Sequence, residues 1–102
     1  MATRFVRTFD SYASVGTTRY LSINSTLATE VTLSRGYTGM SLFNQGSTPL
    51  VWGDSNIAIN SGNYVYPSGR VEWNPVNDGF SIFLISDSTG TLGIAAINEY
   101  GT

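Results

Sequence analysis

The chain has 102 residues and contains no cysteine, no histidine and no lysine. Without cysteine there is no disulfide, no thiolate metal site and no thiol nucleophile. Without histidine the usual general base and the commonest transition-metal ligand are missing. Without lysine there is no Schiff-base chemistry and no lysine contact to phosphate. Charge is scarce too: charged residues make up 12% of the chain, against roughly 25% in ordinary soluble domains. A surface so poor in charge must be covered by Ser, Thr, Asn and Gly, or buried against partners. No apolar run approaches the ~20 residues of a membrane helix. No hydrophobic block follows the N-terminal arginines, as a secretory signal would require. The expectation is a soluble protein without that type of export signal and without a membrane partner.

Against these absences stand a hydrophobic share of 41% and an aromatic share of 13%, enough to fill one core in a single domain. Net charge is −2 and the pI about 4.7, which argues against a nucleic-acid partner, since that needs a basic face. The charge is uneven. Residues 1–20 hold Arg4, Arg7 and Arg19 against Asp10, a balance of +2, and the remainder carries −4.

Residues 1–19 read as an extended N-terminal arm. Phe5 and Phe9 sit among Arg4, Arg7 and Thr8, and the following Asp10-to-Thr18 stretch has linker composition. The i, i+4 spacing of the phenylalanines also allows a helical turn, but the β-branched and aromatic neighbours favour an extended form. Either this is an ordinary chain end, or Phe5 and Phe9 anchor in an apolar groove while Arg4 and Arg7 meet acidic groups on a neighbour.

Residues 20–102 read as the folded domain. Tyr20 to Asn24 and Glu30 to Ser34 alternate with period two, so each has one wet and one buried face. From Met40 on, short apolar runs recur about every ten residues, the spacing of sandwiches and barrels. They are Met40–Asn44, Pro49–Asp54, Ile57–Ile59, Tyr64–Tyr66, Arg70–Trp73, Phe80–Ile85 and Thr91–Ile97. Between them lie Gly, Pro, Asn, Asp and Ser turns. In Pro67-Ser68-Gly69, proline presets φ and glycine can take φ > 0. Asn77-Asp78-Gly79 and Asp87-Ser88-Thr89-Gly90 read as hairpin signals. Phe80–Ile85 and Thr91–Ile97 are apolar on both faces, which marks central strands or a face that meets another subunit. The expected fold is all-β: one antiparallel β-sandwich, jelly-roll-like, of about eight strands.

Few residues point to chemistry. Asp54-Ser55-Asn56 opens like a calcium loop, but Ile59 and Val65 stand where that loop needs glycine and an acid, so a turn is expected and no metal. Asn24-Ser25-Thr26 matches a glycosylation sequon, a chance match in so Ser/Thr/Asn-rich a chain. Glu30, Asp54, Glu72, Asp78, Asp87 and Glu99 are scattered, and Glu72 should face solvent opposite Val71 and Trp73. Nothing pairs two carboxylates for glycosidase work, so no enzyme, catalytic residue or cofactor is expected. The aromatic residues leave an alternative open. Trp52, Tyr64, Tyr66, Trp73 and Tyr100 could form a glycan-stacking platform rather than core packing; if Val65 faces inward, Tyr64 and Tyr66 lie exposed side by side, and with Trp73 they are the residues such a platform would use.

At Leu42-Phe43-Asn44, Leu50-Val51-Trp52-Gly53-Asp54, Gly62 through Gly69 and Phe80 through Ile85, the chain resembles small β-modules of tailed-bacteriophage virions. The resemblance covers roughly residues 40–97. With its short length and separate arm, the chain is most similar to a capsid decoration (cement) protein. That resemblance implies a structural protein on the outside of the capsid, made in the host cytoplasm. Its partner would be the major capsid protein, and it would form a homo-oligomer, a trimer being favoured. Tail and fibre proteins carry similar modules within longer chains, and there the module would bind a glycan or receptor.

Overall fold

The computed structural model describes residues 16–101. Within them are eight strands and no helix: β1 (Thr17–Ile23), β2 (Thr29–Thr32), β3 (Gly39–Asn44), β4 (Leu50–Gly53), β5 (Asn63–Val65), β6 (Arg70–Trp73), β7 (Ser81–Ser86) and β8 (Gly93–Tyr100). They form two four-stranded antiparallel sheets, in the orders β1-β8-β3-β6 and β2-β7-β4-β5. The sheets share one core, to which Ile23, Met40, Leu42 and Ile97 come from one side and Val31, Leu50, Ile82 and Leu84 from the other. The fold is therefore the all-β sandwich the alternation predicts.

The pairing is nested. β1 lies beside β8, β2 beside β7, β3 beside β6 and β4 beside β5, as though one long hairpin had been folded across two layers. Only β4 and β5 are consecutive strands of the same sheet; every other connection crosses between sheets. The glycines of the two expected hairpins do take the left-handed backbone, with φ of 79° at Gly79 and 82° at Gly90. Those turns, however, carry the chain from one sheet to the other. Turn chemistry reports a reversal of direction, not which strand the chain will pair with. The strands apolar on both faces are both central: β7 lies between β2 and β4, and β8 between β1 and β3.

Three further details differ from the sequence reading. β1 begins at Thr17, inside the segment assigned to the arm, because Thr17 and Thr18 pair with Glu99 and Asn98 at the far end of β8. Ile57–Ile59 is not a strand. Asp54 closes an Asx turn, its carboxylate accepting the Asn56 N–H at 2.9 Å and its carbonyl the Ile57 N–H at 3.1 Å. The chain then folds back over the outer face of its own sheet. Ile57 packs where a Cβ of Gly53 would stand, and Gly62 lies against Val51. That loop explains why Val51 is buried although it faces away from the core. In the turn after β5 the left-handed residue is Ser68, with φ of 68°, and not Gly69. The Gly69 N–H bonds the Tyr66 carbonyl at 2.7 Å, so Ser68 holds the third turn position, the one that needs φ > 0.

Candidate interaction face

Because residues 54–62 cover the β4 part of one sheet's outer face, the two faces of the sandwich differ. The outer face of β1-β8-β3-β6 can be laid out in rows from the strand registers. One row runs Tyr20, Ala96, Phe43, Arg70. The next runs Thr18, Asn98, Ser41, Glu72. Ser22 and Ile94 lie on the other side of the Tyr20 row. Ala96 is the small floor between the Tyr20 and Phe43 positions. Tyr20 is 66% and Ile94 43% exposed, and the two lie in adjacent rows of the face. The polar row is locked: the Thr18 hydroxyl donates to Asn98 Oδ1 at 2.6 Å, and Asn98 Nδ2 donates to the Ser41 hydroxyl at 3.3 Å. Exposed Leu92 and Leu27 follow in the loops flanking Gly93 and Thr29. Arg70 and Glu72 bring charge to this face.

At the far corner of this face the Tyr100 ring crosses Gly39 to reach β6. A Cβ on Gly39 would meet the Tyr100 Cε1 at 2.5 Å, so glycine is what lets the ring lie flat. The Tyr100 hydroxyl donates to Glu72 Oε2. Burial, then the Glu72 carboxylate, pushes the Tyr100 phenol up to about 12. A raised native pKa stabilises the fold below the ordinary tyrosine value of about 10 and is lost as pH rises through 12. In an alkaline absorbance titration Tyr100 is expected to ionise well after an ordinary tyrosine, and Glu72→Gln to bring it back toward the ordinary value. An unchanged titration in Glu72→Gln would rule out the pairing.

The expected tyrosine pair forms. Val65 is buried in the core, and the Tyr64 and Tyr66 rings stack with centroids 5.8 Å apart and planes 25° from parallel. The Tyr64 hydroxyl accepts the Asn60 N–H at 3.2 Å and donates to Asn60 Oδ1 at 3.3 Å. Partial desolvation, then the Asp87 carboxylate, raises its pKa. Trp73 is not part of this pair. It points inward from β6, packs edge-on against Trp52 at 4.9 Å and leans on Phe80 at 5.7 Å, because Val71 and Trp73 share the core face of their strand. Instead, Trp52, Asn63 and Arg70 lie with the tyrosines along a groove. Alternation could place the tyrosines together. It could not show which tryptophan stood beside them, since that depends on the pairing of β4 with β5, which sets Trp52 opposite Asn63. Arg4, Phe5, Arg7 and Phe9 lie outside the described residues.

Glu30 and Glu99 are spent on structure. Glu30 accepts the Ser81 hydroxyl at 2.8 Å. Glu99, 1% exposed, accepts the Ser34 N–H at 2.6 Å, the Ser34 hydroxyl at 2.9 Å and Arg19 Nη2 at 3.0 Å. Arg19 Nη2 also donates to the Thr32 carbonyl at 3.0 Å, so this cluster ties β1 and β8 to the chain around β2 in the opposite sheet. Among the described residues no three acidic side chains gather as a metal site would need. The Asn24 amide oxygen accepts the Thr26 N–H and hydroxyl in a local turn. No family model, curated protein or solved structure matches this chain.

Proposed function

We propose that the protein is structural: a decoration (cement) protein that binds the outside of a phage capsid, with the major capsid protein as its partner, and stiffens the shell. The observation that carries this reading is the outer face of β1-β8-β3-β6, with exposed Tyr20 and Ile94 beside a locked Thr18-Asn98-Ser41 row. Such a face adheres through apolar area and fixed hydrogen bonds, which salt does not screen. Nested strand pairing supports the jelly-roll winding. Homo-oligomers, trimers above all, would add modest contacts into avidity, and Arg4, Phe5, Arg7 and Phe9 would anchor each copy. No catalytic role is assigned.

The test is co-sedimentation of the purified protein with assembled capsids, with light scattering for the oligomer. Ile94→Glu places a charge on the docking face without touching the core. It is expected to weaken capsid binding at least about tenfold while leaving the melting temperature near the parent value. A parent protein that ignores capsids overturns the reading.

A second reading is a glycan- or receptor-binding β-module of a tail or fibre. The stacked Tyr64–Tyr66 pair beside an open groove favours it.

A further inference from the structure

We infer that the groove on the open side of the sandwich, between β5 and β6, binds a saccharide that carries a carboxylate, such as a uronic-acid unit. The inference rests on the second reading above and not on the first. The groove has a volume of about 460 Å³, a size suited to one or two sugar rings. Trp52 and Val71 form its apolar part, and Tyr64, Tyr66, Asn63 and Arg70 complete the lining. Tyr66 is 63% exposed, so one ring stacks on Tyr64 while presenting surface to the C–H face of a sugar.

Arg70 decides the class of sugar. Its side chain is 58% exposed, and its nearest carboxylate, Glu72, is 3.9 Å away. An exposed pair of that length contributes little to stability, and Glu72 already accepts the Tyr100 hydroxyl. The guanidinium can therefore turn to a ligand carboxylate and grip it with two parallel N–H groups while giving up little. Asn63, also on the groove wall, offers an amide to sugar hydroxyls. The ligand is thus oriented, with its acid group toward Arg70 and its hydroxyls toward Asn63. A neutral sugar would lack the contact to Arg70.

Titration of the full-length protein with trigalacturonic acid and with its methyl ester, followed by calorimetry, separates the possibilities. The acid is expected to bind at least tenfold more tightly than the ester, with an affinity that falls as salt rises. Arg70→Gln is expected to erase that difference, and Tyr66→Ala to abolish binding of both, each with an unchanged circular dichroism spectrum. Equal affinity for acid and ester, or an Arg70→Gln variant that keeps the preference, overturns the inference and leaves the glycan reading standing. Binding of neither probe at millimolar concentration overturns both.

Discussion

Asn44→Ala is expected to lower the unfolding free energy by about 3 kcal/mol, read from urea denaturation. Asn44 ends β3 with its side chain fully buried at one end of the sandwich. Its Nδ2 donates to the carbonyls of Thr48 and Val65, each at 2.8 Å, and its Oδ1 accepts the Gly46 N–H at 3.0 Å. One amide therefore ties β3 to the loop leading into β4 and to β5 in the opposite sheet. Alanine removes all three bonds and leaves a void at the end of the core. The Val65 carbonyl stays buried and unpaired, whereas the loop groups of Gly46 and Thr48 are partly exposed and regain some hydration. That is why the expected figure stays near the cost of one or two orphaned groups rather than three. A loss below about 1 kcal/mol would show that the amide is replaceable. Asn44→Asp sharpens the test, because a carboxylate oxygen would then face two carbonyls. Burial raises such a group's pKa, so this variant should be least impaired below the ordinary aspartate value of about 4 and should weaken as pH rises.

Glu99→Gln is expected to cost about 2–3 kcal/mol at neutral pH. Burial alone would raise the Glu99 carboxyl. The Ser34 N–H and hydroxyl, then Arg19 and Thr17, outweigh it and hold the pKa below the ordinary carboxylate range. Glutamine brings one acceptor and one amide donor to a site that offers only donors from Ser34 and Arg19, so at least one of them loses its partner. Arg19 is partly open to water, and that keeps the loss below the full penalty of a buried broken pair. The sign of the pH dependence follows from the lowered value. The carboxylate's contribution is complete above the unfolded pKa of about 4.3 and is lost as pH falls through the native one. The parent protein should therefore lose stability on acidification below about pH 4.5, and Glu99→Gln should lack that part of the loss. Parallel acid profiles in the two proteins would show that Glu99 is not held as a carboxylate.

Neither residue announced itself in the sequence. Asn44 was visible only as the end of an apolar run, in the loop composition that usually means an exposed turn. Glu99 lies beyond the last apolar run, which ends at Ile97. Both are buried because β3 and β8 run on past their apolar residues to the two ends of the sandwich, where the interior narrows and polar side chains meet unpaired backbone groups of the opposite sheet. No local pattern encodes that meeting. The Tyr64–Tyr66 pair was legible, since it follows from period-two alternation and one inward valine. Its companions were less so: Trp52 comes from β4, the paired partner of β5, and Arg70 from a strand of the other sheet.

By itself the amino-acid order determined the class of fold, the positions of most strands and the poverty of reactive groups. Those properties reside in alternation, turn residues and composition, which act within a few residues of one another. Tertiary structure decided which strands pair, which part of an outer face is covered by a loop, and where the buried polar groups find partners. These depend on contacts between segments as far apart as Thr17 and Glu99. Such contacts form when two sheets close on a shared core and the leftover hydrogen-bonding groups at its ends must be satisfied.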